Sequence, residues 1–583
     1  MNLRINCGSS VILRPSARVL VWLVAAVTSL VHTVAYRSPA GVAYADVLSH
    51  DDFDVVIAGG STAAFAAAVA AAKSGARTAL LEPTDWVGGQ LTSSGVPAVD
   101  EAWHKIKDAE TGKQLLNVSQ WARDPRNMTP NFLSSLQTMS DCGDCWVSRF
   151  CFRPRLYLET QLLPMQRDVE NNLVVFLETV VKRVQLDASG SRLVSLTAVK
   201  RSVKDGRGYD RLPSEDLHDW YSESDSSHFN KRVITFGSDR RNPPVFVDAT
   251  DWGEVLALSG AEYLQGTEDV EGLPGGDDRC GQSIVYCLIQ KLHEKSVEQP
   301  EEFPDVQGLG LGDYQEKDNA WQLIWTYRRV RGEGPPAAGD LCLQNWGYSP
   351  QQGQGGNDYP FGYLFKSREA TAEEADDWRG GVNLAVLAGA EQRAIGWHHW
   401  FRQHAPPPLL PEQFSLAGDE LGTGHGLAKL PYIRDTRRSI GLDRFILKFD
   451  DLTGPASDRT GTKFADRVAL GAYPADIHPL SNCKMPKHYS GKHDTLPFHI
   501  PFRALTHYQL DNLLVAGKTM AQSFLANSAT RLHPIEWSTG TAAGVAAAFM
   551  AESSKSAREA YQDIGQLQSL IRQQTPIDWT APD

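Results

Sequence analysis

The chain has 583 residues, of which 42% are apolar and 22% are charged, so it is long enough for more than one domain and has the composition of a globular protein. Its 49 Gly and 32 Pro are scattered rather than repeated, which argues against a fibrous or low-complexity protein. The formal net charge of −13 argues against a nucleic-acid-binding surface.

The first 45 residues have the layout of a secretory signal peptide. Three Arg precede an apolar run from Val19 to Val31, and an Ala-Tyr-Ala triplet at 43–45 resembles a cleavage site. The run is shorter than the roughly 20 apolar residues that cross a bilayer. We therefore expect a secreted or periplasmic protein without a stable membrane span. An uncleaved signal that anchors the chain to a membrane is the alternative.

Eight Cys are present, and seven of them follow the signal segment. Cys142, Cys145 and Cys151 lie close together, a spacing that is compatible with a local disulfide, a metal site or a redox pair. A second ligand pair of the kind that zinc requires is not evident, so we predict no metal site.

The first predicted elements after the signal form a βαβ unit. Residues 54–58 are apolar and β-branched, as in a buried parallel strand, and residues 62–74 are mostly Ala, as in a helix that packs closely on a sheet. Residues 77–81 predict a second strand. This order is typical of a dinucleotide-binding domain.

The turn after the first strand matches a degenerate form of the dinucleotide-binding fingerprint. Gly59 takes the first glycine position, while Ser61 and Ala64 replace the second and third glycines. Gly60 adds freedom to the turn, and the Ser61 hydroxyl could donate to a phosphate. A diphosphate would bind the free amides at the helix N-terminus. Glu82, at the end of the second strand, would accept hydrogen bonds from ribose hydroxyls.

Gly88, Gly89 and Gln90 belong to the run DWVGGQLTSSGVPAVDE at residues 85–101. Together with the Gly-Gly-Ser-Thr turn, this run resembles the FAD-dependent oxidoreductases of the glutathione-reductase-like superfamily, a group in which some members are labelled xanthan lyase. The resemblance implies FAD as the cofactor. It also implies an α/β fold: a Rossmann-like FAD-binding domain, with a parallel sheet flanked by helices, and an inserted α+β substrate domain.

The resemblance extends in patches over most of the chain and implies a domain order. Residues 46–270 would form the N-terminal part of the FAD-binding domain, 271–430 the substrate domain, and 431–583 the C-terminal part. Strand patterns occur at 172–177, 180–186, 244–250 and 512–516, and 383–404 predicts a helix. In the family the strand at 180–186 lends backbone contacts to adenine, here near Val181.

The C-terminal patch is the second strong point of resemblance. It implies that Gly517 ends a strand at the cofactor. It also implies that the N-terminus of the following Ala-rich helix, with Gly540 and Thr541, points at the flavin, where helix amides stabilise negative charge. Lys518 stands where many relatives carry an Asp that binds the ribityl chain, so that contact must differ here.

Three loops contain candidate catalytic residues. Flavin chemistry needs an acid or base and a positive group near the substrate. Arg434, His478 and His533 are the residues of these types that we select, and His478 and His533 each precede a Pro, which favours an extended backbone. Each of the two His is also compatible with a structural role, which is the commoner role for such residues, and Arg434 is equally compatible with an internal ion pair.

The sequence thus predicts an FAD-dependent oxidoreductase that passes a hydride between a small or saccharide-like substrate and flavin N5, with an unknown electron acceptor. A polysaccharide lyase or isomerase with structural or no flavin is the alternative. A non-catalytic carbohydrate-binding protein is a third possibility. Glycine-rich segments near 308–312 and 422–424 are not preceded by apolar strands, so no second nucleotide site is predicted.

Overall fold

The computed structural model describes residues 47–50, 52–101, 106–107, 114–116, 128–206, 208–237, 243–267, 271, 276–300, 302–454, 460–483 and 491–579. The predicted signal peptide and its cleavage site lie outside the described residues. Among the helices of the described part, none is long and apolar enough to cross a membrane.

The strands of the described residues, numbered in chain order, are short and distributed over the whole chain. They are β1 Val47–His50, β2 Val55–Ala58, β3 Thr78–Leu81, β4 Ile106–Lys107, β5 Gln114–Leu116, β6 Leu173–Phe176, β7 Thr179–Leu186, β8 Leu193–Val203, β9 Phe229–Phe236, β10 Val245–Asp248, β11 Gly281–Gln282, β12 Ile284–Val285, β13 Leu288–Leu292, β14 Arg329–Arg331, β15 Leu341–Gln344, β16 Tyr348–Ser349, β17 Gln354–Gly355, β18 Asp358–Tyr359, β19 Phe414–Leu416, β20 Arg467–Gly471, β21 Ala475–Ile477, β22 Leu480–Ser481, β23 Gly491–His493, β24 Phe498–Pro501 and β25 Leu513–Val515.

The helices of the same residues include two long ones, α9 and α13. They are α1 Thr62–Lys73, α2 Pro130–Gln137, α3 Pro154–Tyr157, α4 Leu163–Arg167, α5 Pro213–Trp220, α6 Glu254–Leu258, α7 Ala320–Tyr327, α8 Arg368–Glu374, α9 Leu384–Gln403, α10 Gly418–Leu421, α11 Phe449–Thr453, α12 Phe524–Thr530, α13 His533–Ser553, α14 Ala557–Gln562 and α15 Ile564–Ile571.

A five-stranded parallel sheet in the order β25-β10-β2-β3-β6 forms the centre of the fold. Its inner strands β2, β3 and β10 are fully buried, as expected of a parallel sheet covered on both faces. Helices α1 and α13 pack on one face of this sheet. The predicted Rossmann-like α/β fold is therefore confirmed.

Two further sheets complete the layout. Strands β7, β8 and β9 form an antiparallel meander, with β1 added in parallel at its edge. Strands β14, β15, β13 and β19 form an antiparallel sheet within the predicted substrate domain. A cluster of stacked aromatic residues, including Trp321, Trp325 and Trp397, packs between this sheet and α9. Many of the Trp therefore serve the core.

Helices α1 and α13 approach each other unusually closely. A Cβ added at Gly540 would lie 2.2 Å from the carbonyl oxygen of Ala63, and one added at Gly544 would lie 2.1 Å from that of Ala67. Real Cβ atoms do not tolerate such distances, so these two positions require glycine. The Ala and Gly residues of both helices thus allow backbone-to-backbone packing, which brings the two helix N-termini to the same end of the sheet.

We predict that Gly544→Ala destabilises the protein, because the new methyl group would force α13 away from α1, at a cost of about 1–3 kcal/mol. The matched control is Gly565→Ala in α15, where an added Cβ meets no atom within 4 Å. That change should be neutral or stabilising, since Ala favours helix by up to about 1 kcal/mol. Thermal unfolding of both variants checks this, and equal melting temperatures would contradict the close packing.

Candidate functional site

The turn between β2 and α1 is built from two glycines that the surroundings require. Gly59 has φ of +115°, and a Cβ there would lie 2.5 Å from the backbone at Ala249. A Cβ on Gly60 would lie 2.4 Å from Oε1 of Glu82. The turn therefore holds the end of β10 on one side and the Glu82 carboxylate on the other. The amides at the start of α1 carry the positive end of the helix dipole.

Ser61 acts differently from the expectation, whereas Ala64 does not. The Ser61 hydroxyl donates to the carbonyl of Ala249 at 2.7 Å and accepts from the amide of Ala64 at 3.1 Å, which makes it the N-cap of α1. Its single proton is thus committed, and the expected hydroxyl donation to a phosphate must be corrected. Ala64 packs in the core with no exposed surface, consistent with its small size.

Glu82 has a free oxygen in a buried setting. The amide and the hydroxyl of Thr84 both donate to Oε1, at 2.9 and 2.8 Å, whereas Oε2 has no hydrogen-bond partner among the described residues. Burial is the main cause that raises the pKa of Glu82 to about 8. A ribose hydroxyl donating to Oε2 would satisfy this atom and favour its charged form.

The free oxygen of Glu82 belongs to a narrow pocket beside the glycine turn. Its lining includes Gly59, Gly60, Glu82, Val180, Trp220, Tyr221, Asp251 and Trp252. The pocket volume is about 20 Å³, which is smaller than an adenosine group. Val180 lines the pocket, whereas the side chain of Val181 packs in another core cluster, because successive side chains of a strand point to opposite faces. The expected backbone contact near Val181 stays a prediction.

Gly88 and Gly89 lie against the N-terminus of α1. Both have positive φ, of +111° and +58°, and a Cβ on Gly89 would lie 2.6 Å from the amide nitrogen of Thr62. The Thr62 hydroxyl donates to the carbonyl of Gly88 at 2.8 Å. Gly89 thus needs to be glycine for packing on the first turn of α1, and Gly88 because of its positive φ and its contact with Leu162. This places the backbone of the pair beside the amides that would bind a diphosphate.

Gly517 and Lys518 follow β25 and face the same region. Gly517 has φ of +68°, and a Cβ there would lie 2.9 Å from that of Ala63 in the first turn of α1. The Lys518 ammonium forms ion pairs with Asp251 and Glu536. The turn after β25 therefore touches the start of α1, and the contact of Gly517 with the cofactor stays a prediction.

The assignment of Gly540 and Thr541 to the cofactor must be corrected. Helix α13 begins at His533, so both residues lie about two turns inside it. Gly540 packs directly on Ala63, and the Thr541 hydroxyl donates to the carbonyl of Trp537 at 2.8 Å. The residues at the N-terminus of α13 are instead those around 531–536. The pattern of small residues in the sequence indicates the contact between α13 and α1, and it does not indicate the N-terminus of α13.

A larger cavity, of about 340 Å³, lies next to the N-terminus of α13. Residues from all three predicted loops line it, together with side chains of the predicted substrate domain: Asp100, Trp146, Tyr314, Tyr327, Arg328, Asn345, Tyr432, Arg434, Tyr473, Asp476, His478, Arg531 and Leu532. The cavity thus combines aromatic faces with hydrogen-bonding groups, as small-molecule sites do.

Arg434 and His478 are joined in the cavity wall by a residue that the sequence did not reveal. Asp358, fully buried on β18, accepts from Arg434 Nη2 at 2.7 Å and from His478 Nδ1 at 2.9 Å. Although burial opposes its charge, Arg434 and then His478 hold the pKa of Asp358 below its usual value. Arg434 also donates to the carbonyl of Ser283. Arg434 thus forms the internal ion pair that the sequence left open, and it positions the other two residues.

The hydrogen bond from His478 Nδ1 to Asp358 leaves the other ring nitrogen, Nε2, available. Because Nδ1 donates to Asp358, Nε2 carries no proton in the neutral ring. Nε2 lies 3.7 Å from Oδ2 of Asp476, beyond hydrogen-bond distance, and His478 lines the cavity. The geometry therefore suits proton acceptance by His478.

His533 has no such freedom. Its ring is fully buried, Nε2 donates to the carbonyl of Val96 at 2.8 Å, and Nδ1 accepts from the amide of Asp100 at 3.4 Å. Burial is the main cause that lowers the pKa of His533. Since both nitrogens bind the backbone, we correct the expectation of a catalytic role: His533 is a structural residue.

Arg531 supplies a positive group that we did not select from the sequence. It is nine-tenths or more buried, lines the cavity just before α13, and donates to the Tyr432 hydroxyl at 2.6 Å and to the Asp476 carbonyl at 3.1 Å. It has no carboxylate partner within 4 Å among the described residues, and its Nε is unpaired. Gln90 donates to the Arg531 carbonyl at 3.2 Å. The position of Arg531 just before the N-terminus of a predicted helix is the feature of the sequence that could have identified it.

The cysteine cluster contains a disulfide. Cys145 pairs with Cys151, and Cys280 pairs with Cys483, while Cys142 is not in a disulfide. The first bridge closes the loop that carries Trp146 into the cavity wall. No group of three or more metal-binding side chains was found in the described residues.

The residues present fit FAD. A glycine turn at a helix N-terminus, a free buried carboxylate oxygen at Glu82 and a second pocket near α13 occur in the order that a dinucleotide with a flavin ring requires. Gly59, Gly60, Glu82, Gly88, Gly89 and Gly517 would hold the nucleotide part.

A family model described as FAD dependent oxidoreductase matches residues 54–208 and 224–571. No curated protein matches the chain significantly. Solved structures that match the chain include a geranylgeranyl bacteriochlorophyll reductase-like protein from Thermoplasma acidophilum, with 9% identity, 90% of this chain and 84% of that chain covered, and a TM-score of 0.31.

Another similar structure is a variant of FrdA from E. coli quinol fumarate reductase, with 12% identity, 89% and 74% coverage and a TM-score of 0.28. T. acidophilum thioredoxin reductase has 15% identity, 34% and 36% coverage and a TM-score of 0.14. Because these TM-scores are low, the family assignment depends on the family match. That match gives no support to the label xanthan lyase.

We predict that Glu82→Gln changes how stability depends on pH. In the absence of FAD, Glu82 keeps its proton in the folded protein up to its pKa of about 8, whereas the unfolded chain loses it near 4.5. Folded wild type therefore loses stability as pH rises between these values, by at most about 1.4 kcal/mol per pH unit. The variant lacks this loss.

Thermal unfolding of both proteins without FAD, followed across that pH range, measures the difference. The melting temperature of the variant minus that of wild type should increase as pH rises. Added FAD should raise the melting temperature of wild type more than that of the variant. Parallel pH curves together with equal effects of FAD would contradict the role of Glu82.

Proposed function

The chain belongs to the FAD-dependent oxidoreductase family, with FAD as its cofactor, and we propose that it passes a hydride between a small, saccharide-like substrate and flavin N5. The observation that carries this proposal is the cavity beside the N-terminus of α13, in which a proton acceptor, a buried cation and aromatic faces meet.

Support for a saccharide-like substrate comes from the lining of the cavity. The rings of Trp146 and Tyr327 lie 4.4 Å apart, and Tyr314 joins them in the same wall. The same cavity is lined by groups that bind hydroxyls, such as Asp476 and Asp100, and Asp100 accepts from the Tyr473 hydroxyl. A sugar presents apolar C–H faces and hydroxyl edges, so this mixture suits it.

The proton of the reaction is assigned to His478. FAD supplies the hydride acceptor when it is bound. Oxidation of an alcohol also releases the hydroxyl proton, and His478 Nε2 is free to accept it. The Asp358 carboxylate would then stabilise the positive imidazole, while Arg434 keeps Asp358 charged. In the reverse direction His478 would return the proton to a carbonyl oxygen.

Arg531 is proposed to bind developing negative charge. Its guanidinium is buried and bound only to neutral oxygens, so its charge acts in a medium of low polarity. Although burial opposes its charge, Tyr432 and then Asp476 and Asp100 raise the pKa of Arg531, which keeps it positive. An anionic oxygen placed next to it in the cavity would be stabilised.

We also propose that the protein is exported. The N-terminal segment carries the pattern of a signal peptide. Two disulfides in the described residues suit an oxidising compartment, since such bonds are rare in a reducing cytosol.

An anaerobic screen of the FAD-loaded protein tests the proposed reaction. We expect sugars or sugar alcohols to bleach the flavin absorbance of wild type. His478→Gln should bleach about 10²- to 10⁴-fold more slowly with an unchanged spectrum, because a general base is lost. His404→Gln, at an exposed position after α9, is the control and should behave like wild type. Conversion of a polysaccharide to an eliminated product without any requirement for flavin would contradict the proposal in favour of a lyase.

The proposed export predicts a processed N-terminus. Intact-mass measurement of the protein from its native host should show a chain that begins near Asp46 and carries two disulfides. A retained N-terminal segment in a cytosolic fraction would contradict it.

A further inference from the structure

Three charged side chains are buried between the two pockets. Lys518 Nζ lies 2.8 Å from Asp251 Oδ1 and 2.6 Å from Glu536 Oε1. Asp251 lines the narrow pocket of Glu82. On the other side, Nζ lies 5.8 Å from the centre of the Tyr432 ring, which lines the large cavity. The Lys518 ammonium therefore lies between residues that line the two pockets.

Glu536 presents the unusual atom of this group. The residue lies in the first turn of α13 and has no exposed surface. Its Oε1 accepts from Lys518, but its Oε2 has no hydrogen-bond partner among the described residues. A buried carboxylate oxygen without a donor costs free energy, and native structures rarely leave one. This atom is therefore available to a donor that a ligand supplies.

The neighbours of Glu536 show where that ligand lies. A Cβ added at Gly517 would lie 2.9 Å from the Ala63 Cβ and 3.5 Å from both Cγ and Oε1 of Glu536. The carboxylate thus stands close to the first turn of α1, whose amides suit a diphosphate. Glu82 lies on the other side of the same turn, against Gly60. Two buried carboxylates with a free oxygen each thus flank one anion site.

We propose that Glu536 accepts a hydrogen bond from a hydroxyl of the FAD ribityl chain, and that Lys518 holds the carboxylate in place for it. The ribityl chain is the part of FAD between the diphosphate and the flavin ring, and it carries several hydroxyl donors. A phosphate is unsuitable as the partner, because a carboxylate repels it. Glu536 lies between the two pockets and lines neither of them.

This inference depends on FAD being the cofactor and not on the proposed substrate. It also accounts for a lysine in the turn after β25. Lys518 pairs with two carboxylates, so it fixes Glu536 without adding net positive charge. Burial is the main cause that raises the pKa of Glu536, while Lys518 and Gln90 favour its charged form. A ribityl hydroxyl would add a further donor.

Binding of FAD and of ADP to the apoprotein separates this contact from the rest of the site. ADP contains the adenosine and diphosphate but no ribityl chain. We expect Glu536→Gln to weaken FAD about tenfold to hundredfold, the effect of one charge-assisted hydrogen bond, and to leave ADP affinity within about twofold. Glu82→Gln should weaken both ligands. Folding of Glu536→Gln should be preserved, since Lys518 retains Asp251 as its partner.

FAD analogues that each lack one ribityl hydroxyl locate the donor. One analogue should bind wild type about tenfold more weakly than FAD but should bind Glu536→Gln as well as FAD does, which is the signature of a direct contact in a double-mutant cycle. Lys518→Met should also weaken FAD more than ADP. Unchanged FAD affinity in Glu536→Gln, equal losses for FAD and ADP, or additive effects of every analogue would overturn the proposal. Loss of all flavin binding by wild type would instead contradict the cofactor.

Discussion

The contact between α1 and α13 is the constraint on which the rest of the structure depends. Gly540 lies on Ala63 and Gly544 on Ala67 at backbone distance, one helical turn apart. This contact fixes the N-termini of both helices at the carboxyl end of the parallel sheet. One terminus provides amides for a diphosphate, and the other carries Arg531 into the cavity. The ligand site is therefore a consequence of helix packing by small residues.

Charge in the site is arranged by burial. Glu82 and Glu536 each keep one oxygen bonded to protein and one without a partner. Leaving such atoms unsatisfied destabilises the ligand-free fold, so a cofactor with hydroxyl donors would stabilise it in return. In the cavity, by contrast, the buried carboxylate is paired: Arg434 and Asp358 neutralise each other, and His478 keeps one ring nitrogen free. The proposed cofactor site thus contains carboxylate oxygens without a donor, whereas the proposed proton acceptor His478 is held by the paired residues Arg434 and Asp358.

The local parts of the site followed from the sequence, while contacts between distant segments did not. In the βαβ unit, the pattern of apolar residues and the spacing of the glycines predict the turn at Gly59 and the acid at Glu82. Asp358 could not be identified, because its two partners lie 76 and 120 residues away. Gly540 was misassigned because a glycine that serves helix packing and one that serves a cofactor look alike in a sequence. The pairing of Glu536 with Lys518 likewise required the position of α13 relative to β25.

The central claim is that these elements together hold FAD. The most direct measurement is the visible absorption spectrum of the purified protein, with mass spectrometry of the small molecule released on denaturation. The account predicts a flavin spectrum and a released mass equal to that of FAD, either as purified or after supplementation. A colourless protein that takes up no FAD, or one that releases a different nucleotide, would contradict it.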